Sequence, residues 1–224
     1  MNLVVYTAVT GKYDELPTVN EKGVEFWGKG KGGGRYVAYV DEEQKGGKGW
    51  EKRPFLHFSL HEHWKDRRDA RFYKMMPHLL FPEAEYSIWV DGGWILLEEP
   101  RKMLQYLGDN DIAMFDHHRN CIYQEMEAIK RNEWEDPEIL KRHYEHYRDK
   151  LAPNEGLTAT GLIIRRHTPE IARLNQAWWE QICQFSSRDQ LSFVFVAKQL
   201  GVKWSLIPGR HNSSDLFTSN PAGH

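Results

Sequence analysis

Apolar positions along this chain switch between unbroken or alternating runs, which read as strands, and runs spaced at three and four, which read as helices. Leu3 to Val9 is the first strand, closed by the turn-forming Thr10-Gly11-Lys12-Tyr13-Asp14, and Tyr36 to Val40 is a second that ends in Asp41. Ser59 to Leu80 has mostly helical spacing and stops before Pro82. Tyr86 to Val90 is a β-branched and aromatic strand that delivers Asp91 to its end, with Gly92 and Gly93 directly after. Pro100 to Leu107 reads as a short helix, Asp111 to Phe115 as a strand, and Gln124 to Lys150 as a charged helical region broken near Pro137. Leu162 to Arg166 is a strand, Pro169 to Phe185 and Arg188 to Leu200 are helices, Val202 to Ile207 is a last strand, and a polar tail follows. Strands alternating with helices predict an α/β fold with a largely parallel central sheet flanked by helices.

Composition narrows the class. At 224 residues, one domain over 1–224 is the simplest organisation. A net charge of −2 does not advertise a nucleic-acid binder. The exception is local: Gly28 to Arg35 and Lys45 to Gly49 are glycine-rich loops that carry lysines. Cys121 and Cys183 fit neither a zinc spacing nor a disulfide framework, and no stretch nears the roughly eighteen apolar residues of a membrane span. With no signal-like start, a cytoplasmic location is the expectation.

The candidate chemistry begins at Asp91. A lone carboxylate at the C-terminal end of a strand sits where open α/β sheets place ligands, although Asp-Gly also favours a plain turn. Arg68, Arg71 and Lys74 recur at helical spacing, so they share a face that suits a diphosphate, or else pair locally with Asp66 and Asp69. Ser187 and Gln190 fit a capping box, with Asp189 in the first turn of the helix; the same carboxylate is also placed to act as a general base on an acceptor hydroxyl. His211, after the last strand, pairs with Asp91 as a candidate ligand for a divalent metal, Mn or Mg. His117 and His118 are adjacent, and on an extended segment at most one of them faces a site; His118 is the candidate.

These residues carry a resemblance. Arg71, Lys74, His78, Leu80-Phe81-Pro82 and Tyr86-Ser-Ile-Trp-Val-Asp91 are similar to the "RxxKxxxHxLFP…YSIWxD" signature of the plant turgor-regulation and mucilage-related glycosyltransferase-like domain family, which has bacterial and phage members. Asp116 to Glu125, Ile163 to Pro169, Phe185 to Phe193 and the N-terminal Val5 to Asp14 continue it. The resemblance implies a GT-A-like fold and transfer of a hexosyl or pentosyl group from a nucleotide diphosphate sugar. It places Thr7, Ala8, Tyr13 and Asp14 around the nucleotide and Asp41 near base or ribose. It also places Arg71 and Lys74 at the diphosphate, Asp91 at metal and donor, and Arg188, Asp189 and Gln190 at sugar and acceptor. Gly92 and Gly93 are donor-contact candidates because two glycines let another group approach the backbone. Residues from about 1 to 115 would form the nucleotide-sugar half, and from about 116 to 224 the acceptor half and tail. Two positions depart from the pattern: Ala159 stands where relatives often have Glu, and Trp89 stands where a metal-binding pair of acids would have its first.

The acceptor expected is a hydroxyl on a polysaccharide, a glycoside or a hydroxymethylated base of phage DNA, nucleic acid entering through the Lys/Gly loops. The competing expectation is a non-catalytic nucleotide-sugar- or glycan-binding module, which Ala159 and the single Asp91 would also fit. A lipid-amide hydrolase, attached to one branch of that family, lacks a zinc ligand set here.

Overall fold

The structure, a computed structural model, describes residues 1–11, 14–19, 35–42, 44, 46–59, 65–211 and 214–219. Tyr13, the Gly28–Gly34 stretch and Lys45 lie outside the described residues.

Strands β1 (Leu3–Val9), β2 (Arg35–Val40), β3 (Glu51–Pro54), β4 (Tyr86–Val90), β6 (Ile112–Asp116), β7 (Thr158–Arg166) and β8 (Ser205–Arg210) form a seven-stranded sheet in the order β3-β2-β1-β4-β7-β6-β8. β1 runs parallel to β2 and β4, β2 to β3, and β6 to β8; only β7 is antiparallel to its neighbours β4 and β6. The largely parallel sheet is therefore as the patterning predicts. All seven residues of β1 are buried, which is why it reads as an unbroken apolar run rather than an alternating one.

Helices α1 (Lys65–Met75), α2 (Pro77–Leu80), α4 (Ile122–Arg131), α5 (Pro137–Tyr147), α6 (Pro169–Gln184) and α7 (Gln190–Leu200) contribute to one layer of core. There Tyr6, Trp89, Met114 and Ile163 of the sheet meet Tyr73, Ile129, Trp178 and Phe193 of the helices. The opposite face is thinner. Leu3, Ile88, Phe115 and Ile164 are covered by α3 (Pro100–Met103), a 3-10 turn at Leu104–Leu107, and a ribbon of β5 (Trp94–Leu96) with β9 (Phe217–Ser219).

Several boundaries differ from the pattern. The helix expected over 59–80 is α1 and α2, because Pro77 takes the first-turn position of a new helix and cannot donate within the old one; residues 60–64 lie outside the described ones. The last strand starts at Ser205, three residues later than its apolar pattern. β3, β5 and β9 were not legible: β3 is a polar edge strand of Glu-Lys-Arg-Pro, and β9 arises within the polar tail by pairing with β5.

Candidate active site

Because β7 is reversed, its N-terminal end lies at the same edge as the C-terminal ends of β1, β2, β4, β6 and β8. Thr10, Asp41, Asp91, Asp116, Thr160 and His211 therefore line one side of the sheet. Asp91 leaves β4 with its backbone N–H donated to the Gly161 carbonyl at 2.9 Å. Its Oδ1 accepts from Trp89 Nε1 at 2.7 Å and from Lys74 Nζ at 3.4 Å. The position that departs from an acidic pair is thus a hydrogen-bond donor that fixes Asp91. Asp91 has 39% side-chain exposure, whereas Trp89 and Lys74, which hold it, are buried.

Behind it lies a buried charge cluster. Lys74 Nζ is 2.6 Å from Asp189 Oδ2 and Arg71 Nε is 3.4 Å from Asp189 Oδ1, with Lys74 and Asp189 each only 1% exposed. Burial pushes the Asp189 carboxyl up, but Arg71, Lys74 and the Thr160 hydroxyl outweigh it and hold the group at about 2. An acid so weakly basic is a counter-ion rather than a proton acceptor near neutral pH. The predicted cap is not formed: Asp189 stands at the N-cap of α7 without a side-chain cap bond, and the Ser187 hydroxyl and amide both turn to the buried Glu135.

The cationic face predicted for α1 splits. Arg68 points away from Arg71 and Lys74 and donates to the carbonyls of Ile182 and Phe185 at the end of α6. Burial pushes its guanidinium down, and Arg68 is packed into the core on the α6 side, apart from the Arg71–Lys74–Asp189 cluster. Helical spacing placed the three Cα positions correctly, but a guanidinium reaches far enough to choose another partner.

On the β1 side, Thr7 and Ala8 are buried within the strand, short of the edge. Asp41 is occupied by Thr10 Oγ1 at 2.8 Å, Gly11 N at 2.6 Å and His57 Nε2 at 3.1 Å; burial opposes its ionised form, but these donors lower its pKa. Asp14 lies over the two glycines. A Cβ on Gly93 would come 3.0 Å from Asp14 Oδ1, and one on Gly92 would come 2.5 Å from Val9 Cγ2. The close approach that Gly92 and Gly93 permit is therefore one of this chain's own groups.

Across the edge, the rings of His117, His118 and His211 gather, with centroids 4.2 Å (117–118), 5.9 Å (117–211) and 6.4 Å (118–211) apart. Both adjacent histidines join it because the chain bends after β6 instead of staying extended. Burial, with the neighbouring His118 and His211, pushes His117 down to about 4, so it is neutral near pH 7. Burial also lowers His211, while Asp91 and Glu125 act on it in the opposite sense. Glu125 is buried at the start of α4. It receives Arg119 Nη1 at 2.7 Å and Gln190 Nε2 at 3.4 Å, with His117 Nε2 at 3.9 Å. Arg188 instead lies over the Trp134 ring at 5.2 Å. Thr160 is a site residue that no spacing singles out, and Arg119 and Glu125 stand in the sequence only as part of a longer motif segment; the Glu125 partner Gln190 is 65 positions distant.

Among the described residues no group of three or more His, Cys, Asp or Glu is arranged to hold a metal ion. Asp91 and His211 act on each other through space, and a carboxylate and an imidazole are the two groups here that could hold a divalent cation.

Comparison with known proteins follows the same lines. The family described as "TOD1/MUCI70, glycosyltransferase-like domain" matches residues 57–213. The probable hexosyltransferase MUCI70 of Arabidopsis thaliana is 27% identical over 155 residues, 61% of this chain and 26% of that protein. Alkaline ceramidase TOD1 of the same plant is 27% identical over 144 residues, 58% of this chain and 31% of that one. The matches thus span about a quarter to a third of the length of these relatives. Among solved structures, mouse xyloside xylosyltransferase 1 in its apo form superposes with a TM-score of 0.51 over 92% of this chain and 84% of its own, at 11% identity, which is a likeness of fold.

Proposed function

This chain belongs to the TOD1/MUCI70 glycosyltransferase-like domain family and has a GT-A-like fold, and from that premise we propose that it is a glycosyltransferase moving a sugar from a nucleotide diphosphate donor to a carbohydrate hydroxyl. The observation that carries this reading is Asp91: an exposed carboxylate at a strand end, oriented by Trp89 and Lys74, with His211 across the edge. In this reading, residues up to about 115 form the donor half and those from about 116 the acceptor half and the C-terminal tail, the tail returning His211 to the donor side.

Asp91 and His211 would hold a divalent cation, Mn or Mg, against the donor diphosphate; such an ion offsets the charge that develops on the leaving group. Asp189 keeps Lys74 and Arg71 aimed at the strand end, so that their positive field reaches the donor without either cation being bare. Glu125, held by Arg119 and Gln190, is the carboxylate on the acceptor side. The name of MUCI70 favours a hexosyl donor. The lysine-rich loops that pointed to a nucleic-acid acceptor lie mostly outside the described residues and lend that acceptor no support.

A panel of nucleotide sugars, each with and without manganese, tests the reading by melting temperature and by release of nucleoside diphosphate. One donor should raise the melting point with its occupancy and turn over when a glycan is added. Binding without turnover against a broad glycan panel would make the chain a binding module; no shift with any donor would end the proposal.

A further inference from the structure

Beneath the charge cluster lies a pair of buried side chains that the reading above does not use. Arg165, on β7, is 0% exposed. Its Nη1 donates to the Tyr6 hydroxyl at 3.1 Å, and its Nε and Nη2 have no hydrogen-bond partner among the described residues. Burial lowers its pKa, and it feels Asp189 through space. Tyr6 is equally enclosed, and burial, only partly offset by Arg165, raises its hydroxyl to about 12, so the proton stays on. That hydroxyl donates at 3.0 Å to the carbonyl of Lys74, in the last turn of α1. The Tyr6 ring also meets Trp89 edge-on at 5.2 Å, and Trp89 in turn holds Asp91.

We infer that Tyr6 and Arg165 are positioning residues that set the Lys74 ammonium between Asp189 and Asp91. Helix C-terminal carbonyls lack partners within the helix and carry negative partial charge. The Tyr6 hydroxyl caps one of them, and Arg165 both polarises that hydroxyl and places a cation near the negative helix end. With the backbone of Lys74 pinned there, its ammonium reaches Asp189 at 2.6 Å and Asp91 at 3.4 Å. The same tyrosine braces the indole that fixes Asp91 from the other side. Space filling alone is a poor account of Arg165, because an apolar side chain of similar volume avoids the desolvation of a buried charge.

The test reads Lys74 directly. In protein labelled with 15N-lysine, the ammonium signal of Lys74 is identified by its loss in Lys74→Met. Tyr6→Phe keeps the ring and removes the hydroxyl; it should shift that signal and speed its exchange with water. Arg165→Met should do the same, and Arg165→Lys, which restores a donor and a charge, should bring the signal back towards wild type. Ile182→Val, a core change away from the pair, should lower the melting point and leave the Lys74 signal in place. An unchanged ammonium in both Tyr6→Phe and Arg165→Met overturns the proposal. If Arg165→Met does not fold, Tyr6→Phe alone decides it, an unchanged ammonium there overturning the proposal. Turnover rests on the donor reading above, and there Tyr6→Phe should cost about tenfold or more in kcat, as small misplacements of a site group do. A displaced ammonium in a protein that turns over no donor would sink the function and leave the positioning role standing.

Discussion

Asp91 and Asp189 are both carboxylates of the same site, yet their surroundings give them different work. Asp91 is 39% exposed at the strand end; Asp189 is 1% exposed and meets Lys74, Arg71 and the Thr160 hydroxyl. Asp91→Asn should leave the melting point nearly unchanged, because the amide oxygen still accepts from Trp89. It should cut donor turnover by at least about a hundredfold, in the range of losing a preorganised electrostatic contact; steady-state rates at saturating donor check this. Asp189→Asn should behave in the opposite order. It removes the buried carboxylate that Lys74 and Arg71 share and leaves Lys74 only the more distant Asp91 at 3.4 Å, so the stability loss should be about 3–5 kcal/mol by chemical denaturation, well above the cost of a lost helix cap. Because the Asp189 pKa is lowered from 3.8 to about 2 in the fold, its stabilisation is complete above about pH 4 and is lost as pH falls towards 2. Wild type should therefore lose stability across that window more steeply than Asp189→Asn.

At the scale of elements, α1 serves two neighbours with residues one turn apart. Arg68 closes the C-terminal carbonyls of α6, while Lys74 and Arg71 reach the start of α7. Arg68→Met should lower stability by roughly 1.5–3 kcal/mol, the worth of hydrogen bonds to a charged group, and leave nucleotide-sugar affinity unchanged by calorimetry. A fall in affinity without a fall in stability would return Arg68 to the donor face. The turn after β4 is equally constrained. Gly92→Ala drives a methyl to 2.5 Å from Val9 Cγ2, a clash that backbone or β1 must absorb. Overpacking of this kind costs about 1–3 kcal/mol, and it would move Asp91 with it, so melting point and turnover should fall together.

Across the whole molecule, acid sensitivity should begin well above the range of Asp189. His143 stacks on Phe185 at 4.9 Å and its ring nitrogens have no partner among the described residues; burial pushes it from 6.5 down to about 3. His167 is lowered to about 4 by burial and by Arg165 and His78. Each is neutral when folded and protonated when unfolded between its folded value and about 6.5, so the unfolded state binds more protons there. Stability should be flat above pH 6.5 and fall below it, by up to about 1.4 kcal/mol per pH unit for each histidine. Urea titrations from pH 8 to 4 check this, and His143→Phe should flatten the slope. Among the described residues no helix is long and apolar enough to cross a membrane.

The apolar pattern by itself determined the order of the main strands and helices and the parallel character of the sheet, because β1 and β4 are buried runs whose periodicity is local. It also determined that Asp91 ends a strand, since that requires only the strand and the residue after it. The motifs determined the family, through spacings that stay within single segments. What only the tertiary structure decided is which charges meet. Arg68 and Lys74 are six positions apart on one helix, but the first turns to α6 and the second to Asp189, 115 positions on. β3, β5 and β9 exist by pairing, not by composition, so no local signal announces them. The histidine cluster needed a bend after β6 and the arrival of β8 beside it. Long side chains and reversed strands join distant parts of the chain, and local spacing carries no record of those contacts.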